Sequence, residues 1–555
     1  MVKPRYLAFA ILAASPAVQA QTVPNAGTQL QQLPQPPAAA KPVPNLDFDR
    51  AAPAPAATAP GLSIRVTALQ VTGQTAFSEA ELLGATGFVP GTEMTLAKLR
   101  AAASKVSDYY HARGYFLAQA YLPEQDVQDG TVTITVAEGR YGKIELNNPN
   151  QVASRTPALR LGGIAPGDLI ANAPLERRLL LLSDIPGVRV QATLAPGAAV
   201  GTSDLMVNIT RAPSISGDVE FDNGGGRYTG TYRFGGGINL NNPLGIGDQL
   251  SLRLLGSDGG LAYGRAAYQA PIGNLTLGAA YAHLRYRLGR EFTALDGSGT
   301  ADIFSVYGSY PLVRSRRANL NIFANGDYKL LRDDVGVVST YSNKRVLAET
   351  LGLTGDTRDN FGGGGSNAFS LSWTTGNLDI RSAAERIIDA ATARSAGGFN
   401  KVKASFSRDQ AVAGPFSLYG SVRGQLAFNN LDSSEKIELG GADGVRAYPE
   451  GEAFGDTGYI ATAEAHLAFG GDPAVLPGRF EVIAFAETGE VRFAQDPWFV
   501  GPNHANRSGF GAGLNWAGPK GLLVRTSYAR KLGTGPATSA PDRSGRFWFQ
   551  FVKLF

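Results

Sequence analysis

The sequence predicts a transmembrane β-barrel of about sixteen antiparallel strands, preceded by two small α+β domains. Three observations indicate this fold class. From Ser214 to Phe555, helical periodicity gives way to short segments of alternating polarity separated by Gly, Asn, Asp and Pro. Before that region, the order strand–helix–helix–strand–strand occurs twice. The chain also ends on a strand that places several phenylalanines on one face.

Composition excludes several function classes. The 555 residues include no cysteine, so thiol catalysis, disulfides and thiolate metal sites are excluded. The net charge of +4 gives no case for a nucleic-acid partner. The four histidines are scattered, and the sequence has no Gly-x-Ser-x-Gly motif and no nucleotide-binding Gly-rich loop with lysine. We therefore expect no cofactor and no enzymatic activity.

The first 60 residues predict a signal peptide followed by a linker. Lys3 and Arg5 precede a short apolar run, and Val18-Gln-Ala20 is a small-residue cleavage site, so residues 1–20 read as a secretory signal. Residues 21–60 are rich in proline and alanine, which favours an extended linker. A short helical piece around Thr28 to Leu33 is the alternative for part of it.

Residues 61–139 and 140–213 predict the two α+β domains. In the first, Ser78 and Glu81 match a capping box, and a longer helix begins at Thr95 and ends at Gly114. The second repeats the same order of elements without repeating the residues. The alternative is a pair of unrelated small α+β folds.

Residues 214–555 predict the barrel. Phe416 to Asn429 alternates most clearly, with apolar residues on one face and polar residues on the other, as expected between lipid and water. At the end of the chain, one face of the last strand is aromatic: Phe547, Phe549, Phe551 and Phe555. Outer-membrane barrels commonly present such a terminus to their insertion machinery. A large soluble β-sandwich or β-helix is the alternative fold.

A long loop interrupts the alternating segments at 431–456. Its stretch Leu439 to Asp456, LGGADGVRAYPEGEAFGD, contains five glycines and one proline, so neither a helix nor a strand fits its whole length. A loop of this length in a compact protein is usually functional or disordered. It carries Arg446, and the alternative to a functional loop is a solvated surface loop with an exposed arginine.

The motifs and their order resemble the outer-membrane transporters of two-partner secretion (TpsB), which belong to the POTRA-plus-barrel superfamily of BamA. The family's lumen loop carries Val-Arg-Gly-Tyr/Phe, and this chain has Val445, Arg446, Ala447 and Tyr448. The family's Phe-x-Asp-x-Gly barrel motif corresponds to Phe485, Glu487 and Gly489, with glutamate in place of aspartate.

The resemblance implies two POTRA domains, a sixteen-stranded barrel and a loop folded into its lumen. Glu487 lies on the same strand face as Phe485, so a carboxylate–guanidinium pair with Arg446 would fix the loop to the wall. The alternative is a lumen carboxylate that faces water. The alanine at 447 raises the question of whether the loop bends there as tightly as in the family.

The implied function is export of a large, unfolded, β-helical partner across a Gram-negative outer membrane, without ATP. The POTRA domains would lie in the periplasm and capture the partner through sheet edges. Further implied partners are the lipid bilayer and the barrel-assembly machinery. A helix plug from the mature N-terminus is known in the family, but the proline content of residues 21–60 speaks against one here. The alternatives are a BamA- or TamA-like insertion factor, a passive porin and a barrel enzyme.

Overall fold

The computed structural model describes residues 23–34, 45–48, 63–127, 129–149, 152–153, 156–472, 475 and 477–555. The predicted signal peptide and most of the predicted linker lie outside these residues. The described chain forms two compact units. One holds Pro213–Pro243 and Asp248–Phe555 with the described residues up to position 34, and the other holds the described part of Ala40–Ala212 with Leu244–Gly247. In the described residues, no helix combines the length and the apolar character needed to cross a bilayer.

The elements before the barrel include five helices and nine strands in the described residues. The helices are α1 (Ala26–Gln31), α2 (Glu79–Thr86), α3 (Leu96–Ala112), α4 (Thr156–Leu161) and α5 (Asn172–Ser183). The strands are β1 (Asn45–Phe48), β2 (Ser63–Val66), β3 (Ala68–Thr72), β4 (Thr92–Thr95), β5 (Gln119–Tyr121), β6 (Thr131–Ala137), β7 (Arg140–Asn147), β8 (Val188–Pro196) and β9 (Thr202–Arg211).

The first α+β domain packs α2 and α3 against the sheet β3-β6-β5, with β2 and β4 paired beside it. The predicted capping box at α2 is present, because Ser78 N donates to Glu81 Oε2 at 2.9 Å and the Ser78 side chain accepts from Glu81 N. Gly114 adopts φ +91° just beyond α3, a conformation that favours glycine. The core is apolar and buried: Val66, Leu69, Val71, Leu82, Leu99, Val106, Tyr110, Val132, Ile134 and Val136.

The second α+β domain has a four-stranded sheet in the order β1-β8-β9-β7. Strands β7 and β9 are parallel, β8 and β9 are antiparallel, and α5 packs its buried leucines onto the sheet. Strand β1 comes from the predicted linker and pairs in parallel with β8. The order of elements from β7 to β9 therefore matches that of β3, α2, α3, β5 and β6 in the first domain, which also has the pair β2 and β4.

In the described residues, sixteen strands form a closed barrel in the order β10-β11-β12-β13-β14-β15-β16-β17-β18-β19-β20-β23-β24-β25-β26-β27. The first ten are β10 (Ile215–Asp222), β11 (Arg233–Asn241), β12 (Gln249–Ser257), β13 (Ala262–Ile272), β14 (Leu275–Arg287), β15 (Gly297–Arg314), β16 (Ala318–Val335), β17 (Thr340–Asp359), β18 (Gly365–Ile380) and β19 (Gly397–Ala413). Helix α6 (Ala383–Ala391) lies between β18 and β19.

The remaining strands are β20 (Phe416–Ala427), the short β21 (Ile437–Glu438) and β22 (Phe454–Gly455), then β23 (Thr457–Gly470), β24 (Arg479–Arg492), β25 (His504–Ala517), β26 (Leu522–Lys531) and β27 (Gly545–Leu554). The antiparallel pairing of β10 with β27 closes the ring. The predicted fold class is therefore confirmed.

The outer face of the barrel follows the period-2 pattern of its strands. On β20, Phe416, Leu418, Val422 and Leu426 are exposed, whereas Gln425 on the other face is buried. On the last strand Phe547 and Phe551 are exposed, as is Phe555, and Phe549 is half-buried. Trp548 points the opposite way and is buried. The apolar row therefore faces outward, as a lipid-exposed barrel surface requires.

The expectation that residues 21–60 form an extended linker without a plug is wrong for the stretch that forms helix α1. Asn25 caps the helix, because its Oδ1 accepts from Thr28 N at 3.0 Å and Thr28 Oγ1 accepts from Asn25 N at 3.0 Å. No proline occurs between Pro24 and Pro34, so proline content does not prevent helix formation in this stretch. The helix is buried against the inner faces of β14, β15 and β16, so it occupies the lumen.

The Glu138 carboxylate is hydrogen-bonded within the first domain and contributes to its stability. Oxygen Oε1 accepts from Thr75 N at 2.6 Å and Tyr110 OH at 2.9 Å, and Oε2 pairs with Arg140 Nη2 at 2.9 Å. Burial raises the pKa of Glu138, but the hydrogen bonds from Thr75, Ala76 and Tyr110 outweigh it, so the pKa lies below its usual range.

We expect Glu138→Gln to destabilise this domain by about 2 kcal/mol at pH 7, because hydrogen bonds to a charged acceptor are lost. Because the pKa of Glu138 is lowered in the folded state, the ionised carboxylate contributes its full stabilisation above the ordinary carboxyl pKa. This stabilisation is lost as the pH falls through the lowered pKa. Hydrogen exchange of residues 63–139 in the full chain measures the effect. Glu124→Gln, an exposed glutamate of the same domain, is the control. If the difference in stability between wild type and Glu138→Gln were the same at pH 7 and at pH 3, this account would be contradicted.

Candidate functional site in the barrel lumen

The chain between β20 and β23 folds into the barrel. Its side chains and backbone bond to inward-facing residues of β16, β17, β19, β24 and β25, which lie within the half of the ring from β16 to β25. Strands β21 and β22 pair with each other within this lumen loop. Leu439, Val445, Ala447 and Tyr448 are almost fully buried. The predicted alternative of a solvated surface loop is therefore wrong.

The structure brings Arg446 and Glu487 together. Arg446 Nε lies 2.6 Å from Glu487 Oε1, and the Arg446 backbone N donates to Glu487 Oε2 at 2.8 Å. A second carboxylate, Glu464 on β23, pairs with Arg446 Nη2. The guanidinium carbon also lies 3.5 Å from the centre of the Phe485 ring. One arginine is thus held by two carboxylates and an aromatic face, so the alternative of a Glu487 that faces only water is wrong.

Gly489, the glycine of the wall motif, leaves room for the loop. A Cβ at Gly489 would lie 2.7 Å from Leu439 Cδ1, so only glycine leaves space for that buried leucine. On the last strand, Trp548 Nε1 donates to the Arg446 carbonyl at 2.7 Å. The arginine is therefore bonded through its side chain, its amide and its carbonyl.

The neighbours of Arg446 explain how alanine is accommodated at 447. Ala447 does not have a positive φ, so its conformation does not require glycine. Its methyl group packs over β25, where a Cβ at Gly509 would lie 2.4 Å from Ala447 Cβ. Tyr448 OH donates to Gly535 O at 3.2 Å, with the Arg507 guanidinium 5.0 Å from its ring centre. Arg446, Ala447 and Tyr448 therefore contact the rest of the barrel domain, and Val445 is buried in the same apolar cluster.

A second anchor, absent from the sequence predictions, lies at the 3-10 turn Ser433–Glu435. Glu435 Oε2 lies 2.6 Å from Lys401 Nζ, and Lys329 Nζ binds the other carboxylate oxygen. Asp432 Oδ2 accepts from Lys344 Nζ at 3.0 Å. These lysines project inward from β16, β17 and β19, so three strands hold one turn of the loop.

Two further carboxylates fix the rest of the loop. Glu452 Oε1 accepts from Arg507 Nε at 2.8 Å, and Glu452 Oε2 accepts from Thr538 N at 2.8 Å. Asp456 is fully buried and binds Lys436 Nζ and the Gln495 amide, the latter at 2.9 Å. Each of these four carboxylates has a cationic partner, which offsets the cost of burying its charge in the lumen.

Helix α1 docks on this loop as well as on the barrel wall. Ser433 Oγ donates to Asn25 Oδ1 at 2.8 Å, and Gln31 Nε2 donates to the Ser434 carbonyl. Ala26 N donates to Asp333 Oδ1 on β16 at 2.7 Å. A Cβ at Gly27 would lie 2.3 Å from Ser433 Oγ, so helix and turn approach as closely as a glycine allows. The loop and the helix therefore both lie in the lumen, in contact with each other.

Comparisons with known proteins give the family of this chain. The model of the haemolysin secretion/activation protein family ShlB/FhaC/HecB matches residues 201–515, and that of the ShlB-type POTRA domain matches residues 64–139. The heme/hemopexin transporter protein HuxB of Haemophilus influenzae (strain 86-028NP) is 27% identical over 471 residues, which cover 84% of this chain and 82% of that protein.

Two solved structures show the same fold. CdiB from Escherichia coli aligns with a TM-score of 0.71 at 21% identity, covering 91% of this chain and 92% of that one. BamA from Haemophilus ducreyi, lacking POTRA domains 1–3, aligns with a TM-score of 0.52 at 15% identity, covering 89% of this chain and 100% of that one. The protein is located in the outer membrane, with its POTRA region in the periplasm. The chain belongs to the ShlB/FhaC/HecB family of haemolysin secretion/activation proteins, the outer-membrane translocators of two-partner secretion.

Proposed function

We propose that this chain exports a large, unfolded, β-forming secreted protein through the barrel, and that the lumen loop and α1 close the pore between transport events. The observation that carries the proposal is the double occupation of the lumen. A pore for an extended polypeptide must be emptied before use, and both occupants are held by non-covalent contacts, namely ion pairs, hydrogen bonds and apolar packing. Such contacts break and re-form without covalent chemistry.

The same contacts support a closed resting state in which the loop has one defined position. Arg446 is held by Glu464 on β23 and Glu487 on β24, and Glu435 is held by Lys329 on β16 and Lys401 on β19. Removing one partner of a buried pair leaves an isolated charge and costs about 3–5 kcal/mol. Opening therefore requires a partner that compensates several such losses, which a bound substrate chain provides.

We further infer that the chain acts as a transporter without catalysis and without ATP. The relative HuxB is named as a transporter, and ATP is absent outside the inner membrane. Folding of the exported protein outside the cell would prevent its return and so supply the direction of transport. The cargo is proposed as a class, a large secreted exoprotein, and the barrel-assembly machinery as the partner during insertion.

Co-expression with a candidate exoprotein, a large secreted β-forming protein, tests the function. We expect that protein in the medium only when this chain is present, because the outer membrane otherwise retains it. The measurement is the amount of partner in the medium and in the periplasm. Secretion that does not depend on this chain, together with depletion of other outer-membrane proteins, would favour the BamA-like insertion factor.

Arg446→Ala should reduce export about tenfold or more while the barrel remains inserted. Without the guanidinium, buried Glu487 loses its ion pair, at a cost of about 3–5 kcal/mol, and the loop loses its fixed position. Arg446→Lys should be intermediate, because an ammonium keeps the charge but cannot bond two carboxylates and lie flat on Phe485.

Heat-modifiable mobility in the gel reports insertion for each Arg446 variant, and partner in the medium reports export. Arg525→Ala is the matched control. Arg525 lies on the lumen-facing side of β26 and makes no hydrogen bond or ion pair with the described part of the loop. Wild-type export by Arg446→Ala would disprove the role of this anchor.

Gly27→Leu should open the pore. A side chain at this position would overlap Ser433 Oγ and Ser434 N, which lie 2.3 and 2.6 Å from its Cβ, so α1 could no longer dock. We expect a larger single-channel conductance in planar bilayers. Gly420→Leu is the control, because nothing lies within 4 Å of a Cβ there. Equal conductance of wild type, Gly27→Leu and Gly420→Leu would show that α1 does not close the pore.

A further inference from the structure

Three exposed arginines lie near the extracellular ends of neighbouring barrel strands: Arg285 on β14, Arg332 on β16 and Arg345 on β17. The chain enters the barrel at β10 from the periplasmic POTRA region, and successive strands are antiparallel. Strands β14 and β16 therefore end, and β17 begins, on the extracellular side. The three arginines lie at the level of the outer leaflet.

All three arginine side chains point away from the lumen. The residue next to each of them along the strand points inward: Tyr286 is buried in the cluster that contains part of α1, Asp333 accepts from the α1 backbone, and Lys344 binds the lumen loop. Successive side chains of a strand point to opposite faces of the sheet. The arginines therefore face the membrane side of the barrel.

The strand register places the arginines close to one another. Thr300 on β15 lies opposite both Arg285 and Arg332, so these two arginines are two strand spacings apart, about 10 Å. Arg345 lies opposite Leu330, two residues closer to the membrane centre than Arg332. The cluster is therefore wide enough to contact two separate anionic groups of one molecule.

Much of the positive charge of this cluster is uncompensated. In the part of the chain that the structure describes, Arg285 and Arg345 make no hydrogen bond or ion pair. Three carboxylates of β15, β16 and β18 share the outward face, and each has its own partner: Asp302 with Tyr281 and His283, Asp334 with Arg332, and Asp379 with Arg381. The pair of Arg332 with Asp334 is exposed and contributes little, so Arg332 can change partner.

An aromatic row lies directly below the arginines. Phe304 lies opposite both Tyr281 and Tyr328, and all three rings are exposed on the outward face. Aromatic rows on barrels mark the boundary between hydrocarbon and headgroups. Arg285 and Arg332 each follow a tyrosine of the row by four residues, 281 to 285 and 328 to 332. The arginines are therefore at the height of lipid headgroups.

A groove of about 990 Å³ lies on the outward face of β14 to β19, directly below the aromatic row. Small residues leave this space open, since Ala324 lies between Gly308 and Leu351 in the register. Gly326, one outward position above Ala324, lies opposite Val306. The groove therefore offers an apolar surface for acyl chains beneath the positions that meet the headgroup.

One carboxylate, Glu349, faces outward in this groove. It lies opposite Gly326 on one side and Thr375 on the other, and among the described residues it makes no hydrogen bond or ion pair. Plain hydrocarbon cannot solvate a carboxylate, whereas a hydroxyl group on an acyl chain can donate to it. Glu349 therefore favours a lipid with hydroxylated chains.

We propose that this face of the barrel binds lipopolysaccharide of the outer leaflet, with the phosphates of its lipid A on Arg285, Arg332 and Arg345 and its acyl chains in the groove. Lipid A carries a phosphate at each end of a disaccharide and hydroxylated acyl chains, so it matches both the separated arginines and Glu349. Guanidinium groups bind phosphate with two parallel hydrogen bonds. The inference does not rest on the export function.

Removal of the three charges tests the proposal. Full-length protein in detergent is titrated with purified lipid A, and native mass spectrometry counts the lipid molecules bound to each protein. We expect Arg285→Gln/Arg332→Gln/Arg345→Gln to bind about a hundredfold more weakly, because each arginine at an anionic lipid surface contributes about a factor of five. Arg345→Gln alone should bind about fivefold more weakly. Heat-modifiable mobility in the gel shows that each variant is folded.

Arg530→Gln is the matched control for charge. Arg530 is exposed on the outward face of β26 near its extracellular end, two residues after the exposed Tyr528. Phe510 and Gly545 lie opposite it on the two adjacent strands, so no second arginine is in register with it. We expect lipid A binding by Arg530→Gln to equal that of the wild type.

Gly326→Leu tests the groove separately from the arginines. A Cβ at this position meets one atom within 4 Å, Val306 Cγ2 at an ordinary 3.5 Å, so the strand accepts the substitution and the leucine fills the groove. We expect about fivefold weaker binding of lipid A, because the acyl chains lose buried contact area. Gly420→Leu, on the outward face of β20 with nothing within 4 Å of its Cβ, is the control and should bind as the wild type does.

Three results would overturn the proposal. Wild-type affinity of the triple arginine variant for lipid A would remove the headgroup site. Equal binding of lipid A and phosphatidylglycerol by the wild type would show a general layer of anionic lipid instead of a lipopolysaccharide site. A loss in Arg530→Gln as large as that in the triple variant would show that overall charge, and not this cluster, determines binding.

Discussion

Pairing of buried charge is the constraint on which the lumen of this barrel depends. The loop between β20 and β23 brings Asp432, Glu435, Arg446, Glu452 and Asp456 into the interior, where an unpaired ion would cost several kcal/mol. Each meets an opposite charge on the inner wall or within the loop. The positions of the wall lysines, Glu487 and Arg507 therefore determine where the loop lies.

The plug helix depends on that arrangement. Helix α1 contacts the turn Ser433–Glu435 through Asn25, Gly27 and Gln31, and that turn is held by the lysines of β16, β17 and β19. A displaced turn would remove part of the surface on which the helix rests. The loop and the helix are thus two parts of one closure, and a change in either alters the contacts of the other.

Much of this architecture could be predicted from local patterns. The alternation of Phe416 to Asn429 indicated a strand between lipid and water, and the same reasoning placed Glu487 in the lumen opposite Arg446. Glu435 and Glu464 were not predicted, because choosing among several loop and wall charges requires knowing which strands lie opposite. Helix α1 was judged from proline content over 40 residues, although its own stretch has none and is stabilised by burial and by the Asn25 cap.

The contact between Ala447 and Gly509 has a consequence for the family's sequences. The alanine methyl occupies the space that a Cβ on β25 would need, so the two positions share room for a single methyl group. Where the loop carries alanine, the wall position must be glycine, and where the loop carries glycine, the nearest remaining neighbour of a Cβ at 509 is the Arg530 carbonyl at 3.0 Å. Positions 447 and 509 are far apart in sequence, but a larger side chain at one requires a smaller one at the other. We therefore expect these two positions to change together during evolution.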